Sequence, residues 1–556
     1  MMRILILLLL GALAMPHFTS AQDIGQVGKG DALDLTGSLS FSTGYYNTSL
    51  GYNRQDPFAY RLTGNAVLSV YNWQIPFTLS YANQQFNSSN PFQQFGISPR
   101  YKWIRMHAGY SSMSFSPYTL NNHTFLGGGL EITPGKFRFS VMYGRLRERQ
   151  SMVENQLMSF RPPAYKRLGY GMKIGYGTAQ NHLDLIVFKG KDDTTSLSPS
   201  ANLPILPAEN LVVGISTRLQ LLKNVSWEVH ASGSAYTRNL YSDPLAAEEI
   251  NLPNFLTNLY EPRFSSRFNY AGHTSLNLQL GNFGIKGTYR RVQPEYKSMG
   301  VYYLKNDVEQ YTIAPNFRLF KGRVSLSASL GIEQDNLMDN KAVTTHRQIG
   351  SANLNWNTRG AFGMNVQYSN YQLDQNPALL NLNDTTKIAR VNRNLSVMPR
   401  LIYRKDQKTH QITLYANNQT LTDNNPFTAE MTETDSYTGN LSYGYRNAKS
   451  GWNTKSSLNY TQLQTPVNEI VRYGITAGIG KSLFDDRLQT NLRTSYSRNN
   501  VDQSNAGHIL NFHLNLGYRV QSGHSLNLTL KLTDNETSNV NFTENMANLQ
   551  YTYRFR

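Results

Sequence analysis

Ser525-Leu526-Asn527-Leu528-Thr529-Leu530-Lys531-Leu532-Thr533 decides the fold. Every second residue is leucine, and every residue between is polar. A strand repeats every two residues, so the leucines share one face and Asn527, Thr529 and Lys531 share the other. The same alternation recurs from residue 33 to the C-terminus. Val324, Leu326, Ala328, Leu330 and Ile332 alternate with Ser325, Ser327, Ser329 and Glu333. Val225, Trp227, Val229 and Ala231 alternate with Ser226, Glu228, His230 and Ser232. Sustained over such a length with no helical periodicity, this pattern predicts a transmembrane, antiparallel, up-and-down β-barrel, apolar outside and polar inside. A soluble sandwich with one wet face predicts fewer strands and a less regular alternation of turns.

The first 21 residues read as a secretory signal that is removed. Arg3 is the positive end, Ile4 to Leu10 is an apolar run too short to span a bilayer, and Thr19-Ser20-Ala21 offers small residues for cleavage. Residues 22–31 form a short N-terminal segment, and 32–556 form one barrel. The chain has no cysteine, which excludes disulfides, a lipoprotein anchor and thiolate metal sites. Its net charge is +17. In a soluble protein that would suggest nucleic acid. With an export signal the expected counter-ions are instead anionic headgroups, acidic glycans or an acidic partner, and no nucleic acid.

Tight Gly/Asn/Asp/Lys turns alternate with longer loops along the whole chain. The turns include Tyr71-Asn72, Thr133 to Lys136, Gly281-Asn282, Lys321-Gly322, Asp485-Asp486 and Gln521 to Gly523. The longest loops are roughly 147–165, 191–209, 239–268 and 293–308. Short periplasmic turns and long extracellular loops make the strand number even and put both termini in the periplasm. The count is about 26 strands, within a range of 24–28. Aromatic residues crowd the short turns: Trp73, Trp103, Phe137, Phe283, Trp356, Trp452 and Tyr518. They read as a girdle at headgroup level.

The last strand carries Leu549, Tyr551, Tyr553 and Phe555 on one face. Here the chain resembles the bacterial outer-membrane β-barrel proteins, whose last strand ends in alternating aromatics with a phenylalanine at or near the terminus. It departs from them in that Arg556 follows Phe555. The resemblance implies recognition of this strand by the barrel-assembly machinery, and a setting in outer-membrane lipid and lipopolysaccharide. The basic, Asn-, Gln- and Tyr-rich character is similar to barrels of the Bacteroidota. No motif narrows the resemblance to one function.

A barrel this wide needs something inside it, because 22-stranded transporters already carry a plug. The ten residues before the first strand leave no room for an N-terminal plug of that kind. Two functions then stand. One is a wide conduit or platform of an envelope complex, its lumen closed by long extracellular loops or by a partner polypeptide, with other envelope or surface proteins as partners. The other is a diffusion porin for polar or anionic solutes, lined by inward Arg138, Lys286, Arg290, Lys455, Arg493, Lys531 and Arg554. No cofactor and no catalysis are expected: there is no nucleophile elbow, phosphate loop or H-E-x-x-H, and the histidines fall at no ligand spacing. One acidic loop, with Asp423, Glu430, Glu433 and Asp435, offers carboxylates to calcium but matches no defined calcium loop.

Overall fold

The computed structural model describes residues 33–555 except 72, 84–93, 151–162, 198–204, 246–257, 359, 378–386 and 539. The signal, the segment 22–31 and Arg556 lie outside the described residues. The described chain is a run of strands: β1 (Leu33–Thr48), β2 (Phe58–Val70), β3 (Trp73–Ala82), β4 (Gln94–Ile97), β5 (Arg100–Tyr101), β6 (Ile104–Ser114), β7 (Asn121–Ile132), β8 (Phe137–Arg147) and β9 (Arg167–Gly177). It continues with β10 (His182–Asp192), β11 (Glu209–Leu222), β12 (Val225–Thr237), β13 (Ser266–Leu280), β14 (Phe283–Val292), β15 (Val308–Leu319), β16 (Val324–Gln334), β17 (Val343–Asn357) and β18 (Phe362–Pro377). It ends with β19 (Ala389–Lys405), β20 (Lys408–Asp423), β21 (Thr434–Asn447), β22 (Trp452–Gln464), β23 (Glu469–Leu483), β24 (Leu488–Val501), β25 (Ser504–Gln521), β26 (His524–Thr537) and β27 (Asn541–Phe555).

Each strand pairs antiparallel with its sequence neighbours. β4 and β5 both lie between β3 and β6, so they are two halves of one stave interrupted at Ser98-Pro99. The first strand pairs with the last, from Gly37↔Phe555 to Thr48↔Glu544, which closes a 26-stranded barrel. Closure removes the two free edges that an open sheet would present. It also gives the aromatic C-terminal strand its partner.

The tight turns follow from local chemistry. Asp406 and Gln407 sit at φ 48° and 63°, the left-handed pair that a two-residue hairpin turn matched to strand twist requires. The expected division into short turns at one end and long loops at the other has exceptions, among them the four residues 465–468 between β22 and β23. Asp502 and Gln503, at φ 48° and 63°, join β24 to β25 by the same tight geometry at the long-loop end. Asp tolerates the left-handed region through its short polar side chain, so a two-residue turn forms there as readily.

Candidate functional site

Antiparallel partners share a face, so one residue known to point inward fixes the parity of every strand. That residue comes from two loops. Residues 115–120 leave β6 and residues 293–307 leave β14. The Tyr118 hydroxyl meets Nδ1 of His273 on β13 at 3.0 Å, and the Tyr296 hydroxyl donates to the Tyr118 carbonyl at 2.9 Å. Ser298 donates to the Thr119 carbonyl, and Leu120 bridges Gly300 in parallel. On the wall, Asn210 of β11 donates to the Lys297 carbonyl at 3.2 Å and accepts from the Met299 amide at 3.0 Å. Ser234 of β12 donates to the same Lys297 carbonyl at 2.6 Å. A segment leaving β6 can reach β13, and meet there a segment from β14 that itself lies on β11 and β12, only from the concave side. The loops therefore fold into the lumen.

They bring an apolar core with them. Met113, Phe115, Leu120 and Met299 pack with Phe125, Met142, Leu146, Ile186, Phe188 and Val212 of the inner wall, all buried. Burying each large side chain contributes roughly 1.5–3 kcal/mol, so this half of the lumen is a folded interior. Gly300 is needed for the approach: a Cβ there would stand 2.6 Å from the Thr119 carbonyl oxygen and 2.9 Å from the Phe188 ring. The sequence carries no local signal for this core.

With parity fixed, Arg138, Lys286, Arg290, Lys455, Arg493, Lys531 and Arg554 all fall on the lumen face. They do not form one group. Arg138 makes a fork to Asp184, Nε to Oδ1 at 2.7 Å and a terminal nitrogen to Oδ2 at 2.9 Å. Arg290 donates to the Lys305 carbonyl of the inward loop at 3.3 Å. Arg554 sits by the short turn at Gly523. Only Lys455, Arg493 and Lys531 are brought into one line by the register.

The wall under the loops is rich in compensated charge. Asp192 accepts from Arg147 and Arg167, and Glu333 from Arg347 and Lys305. In the loops, buried Asp307 accepts from the amides of Asn336 and Leu337 at 3.0 and 2.9 Å and from Lys341. Burial works to raise its pKa, but Lys341 and the two amides outweigh it, and the carboxyl is held below its ordinary value.

One sequence reading is corrected here. The histidines are not all scattered: Glu228 and His230 share a face of β12, and register sets His273 beside His230, so the three ligand atoms lie within 4.8 Å of one another. Glu228-x-His230 at strand spacing was the legible half of this cluster. The Glu228 carboxylate is 2.9 Å from His230 Nε2, and the register partner of His273 is Arg290, a poor neighbour for a divalent cation. The acidic loop, by contrast, does not converge. Asp423 is buried, its Oδ2 accepting the Thr428 and Thr432 hydroxyls at 2.7 and 2.6 Å, which ties down one helical turn at Ala429–Thr432. Glu433 accepts from the Asp423 amide at 3.2 Å, while Glu430 lies on the helical turn and Asp435 on the outer face of β21. These four carboxylates form no ligand group among the described residues.

Trp73, Phe137, Phe283, Trp356, Trp452 and Tyr518 all lie on the outer face, and Trp103 sits in the turn before β6. Trp73 stacks on Tyr101, and Phe283 meets Phe317 at a tilt, each at 4.9 Å between centroids. A second outer row, which the sequence reading missed, pairs Tyr143 with Tyr170 and Tyr289 with Tyr311. It runs six residues along the strand from Phe137 and Phe283, about 20 Å. Between the rows stand exposed aliphatic side chains such as Leu276, Leu330, Ile332 and Leu458.

No family model matches the chain, and no curated protein matches it. Among solved structures it is similar to Pseudomonas aeruginosa OpdK with vanillate, at 13% identity and a TM-score of 0.31, over 63% of this chain and 93% of that one. It is similar to the P pilus usher (PapC) translocation pore at 8% identity and a TM-score of 0.40, over 94% of this chain and 100% of that one. Pseudomonas aeruginosa OpdQ aligns at 11% identity and a TM-score of 0.36, over 66% and 97%. All three are bacterial outer-membrane β-barrels. The likeness is one of fold.

Proposed function

We propose that the chain is an integral outer-membrane barrel acting as a wide conduit or platform of an envelope complex, its lumen narrowed by its own inward loops. The observation that carries this reading is the docking of residues 115–120 and 293–307 onto the inner wall. The width of the barrel bears on how much they close. Twenty-six strands about 4.8 Å apart and tilted by about 40° give a circular backbone roughly 50 Å across. The two described inward loops pack against one wall, and a barrel of that width suits a polymer or a partner polypeptide better than a small solute. Both termini are read as periplasmic, with the C-terminal strand addressed to the assembly machinery and the outer face to lipid and lipopolysaccharide.

The diffusion-porin reading keeps one observation in its favour: basic side chains on the wall the loops leave uncovered. Tagged protein extracted from native membranes in mild detergent, analysed by mass spectrometry, separates the two. A stoichiometric envelope partner supports the conduit or platform. A lone barrel that conducts in planar bilayers supports the porin.

A further inference from the structure

The two halves of the lumen differ in how charge is handled. Under the loops, Asp184, Asp192 and Glu333 each hold an arginine. On the opposite wall three cations stand in a row with no carboxylate bonded to them among the described residues. Lys455 of β22 pairs in register with Gly478 of β23, and Gly478 with Arg493 of β24. Arg493 pairs with His513 of β25, and His513 with Lys531 of β26. All lie on the inner face. None of Lys455, Arg493 and Lys531 has a carboxylate partner among the described residues. The carboxylate nearest the row in register, Glu544, is already engaged by Arg54 at 3.1 Å and the Tyr46 hydroxyl at 2.9 Å.

The row also climbs. Strands tilt in a barrel, so a line of register partners runs obliquely to the axis. Lys455 lies three residues into β22 from its short turn, Arg493 five into β24, and Lys531 seven into β26. From Lys455 to Lys531 the line crosses four strand spacings, about 19 Å. It ends in a hollow of about 340 Å³ on the same face, lined by Lys531, Thr529, Asn548, Tyr46 and Arg61 and overhung by Gln55 and Asp56. Along its lower side run Asn453, Asn491, Asn515 and Thr529, amides and hydroxyls able to donate to oxygen. The cations stand two strand spacings apart, about 10 Å, and a ligand whose negative charges repeat along its length meets several of them at once.

We infer that this oblique row, Lys455–Arg493–His513–Lys531, is a binding lane for a linear polyanion, an acidic or phosphorylated polymer, passing through or anchored in the lumen. The inference rests on the conduit reading and names its cargo class. A single small anion touches one or two of these groups; a chain spans all four.

The test uses the full chain in planar bilayers, with inorganic polyphosphate as probe, monophosphate as its monomer and neutral dextran as the uncharged control. The variant is Lys455→Gln/Arg493→Gln/Lys531→Gln, checked for assembly by resistance to SDS before heating. Polyphosphate is expected to block current at concentrations where monophosphate and dextran do not. The block is expected to weaken about tenfold or more in the triple variant and to fall steeply with salt. Equal block in wild type and variant would overturn the lane. Equal potency of monophosphate and polyphosphate, per phosphate, would reduce it to a simple anion filter and overturn the polymer claim. A wild type that passes no current tells against the open conduit alone. The lane is then read by anisotropy of labelled polyphosphate on the detergent-solubilised protein, where undiminished binding by the triple variant overturns it and lost binding supports it.

Discussion

The Tyr118 hydroxyl and the His273 imidazole meet at 3.0 Å across 155 residues of chain, joining a loop that leaves β6 to the inner wall of β13. Around this contact the two inward loops hold each other as well as the wall: Tyr296 to the Tyr118 carbonyl, Ser298 to the Thr119 carbonyl, and Gly300 against Leu120. A network shared in this way is lost more readily at its tightest point than at its edge. Tyr118→Phe removes one partly buried hydrogen bond, an effect of about 1 kcal/mol. Gly300→Val forces a side chain into the Thr119 carbonyl and the Phe188 ring. The valine variant is expected to assemble, to lose hydrogen-exchange protection at 115–120 and 293–307, and to show higher bilayer conductance. Tyr118→Phe should change protection only slightly. Unchanged protection in Gly300→Val would show that the loops do not depend on the close approach.

The loop pair is also tied to the hairpin beyond it, and here pH enters. Asp307 has its carboxyl held below the ordinary value by Lys341 and two amides. A carboxyl depressed on folding contributes stability that is fully present above its unfolded value, near 4, and is lost as pH falls through the lower folded value. Proteolysis at 335–342 by an acid-active protease is therefore expected to stay flat from neutral pH down to about 4 and to rise below it. Asp307→Asn should show the raised rate throughout, by a local cost of roughly 1–3 kcal/mol. A variant with the wild-type profile would exclude Asp307 as the tether.

Much of this barrel was readable without its structure, because the information is local. Leu526, Leu528 and Leu530 declare a face by their spacing, and Asp406-Gln407 declares a turn by its chemistry. The strand count, the closure of the aromatic last strand on the first and the outward set of Trp and Phe at the short turns all follow from such signals. What was not readable depends on partners far apart in sequence. Nothing near Tyr118 announces His273. Nothing in Glu228-x-His230 supplies the third member, which register alone brings across from β13. Arg138 and Lys455 look alike as inward cations, yet one has Asp184 in a fork and the other has no acid beside it. Charge compensation is a property of the assembled wall, so a list of basic residues could not separate the quiet half of the lumen from the active half.

The Arg138–Asp184 fork supports a measurement of its own. Asp184 is 2% exposed and Arg138 23%, and the two bonds are 2.7 and 2.9 Å. Removing one member leaves the other charge with poor hydration, whereas removing both does not. Asp184→Asn is expected to cost about 3 kcal/mol, and Arg138→Gln with Asp184→Asn distinctly less than the sum of the singles. Urea unfolding in detergent micelles, followed by heat-modifiable gel mobility, gives the cycle. Additive effects would mean the fork is loosened by lumen water.

The face assignment has its sharpest test in β26. Leu528 and Thr529 are neighbours in the middle of β26; register carried round the barrel puts Thr529 on the lumen face, where it accepts from its partner Asn515 at 3.0 Å. Leu528 must then face the membrane. An arginine in lipid at that depth has no water to keep, and Leu528→Arg should cost roughly 2–4 kcal/mol. Thr529→Arg puts the same side chain into an aqueous lumen with room beside it, and should be tolerated apart from the lost hydrogen bond. Folding yield into vesicles and the urea midpoint report the difference. Equal damage at both positions would place Thr529 in a packed interior, and damage at Thr529 alone would turn the strand inside out and with it the parity of every stave.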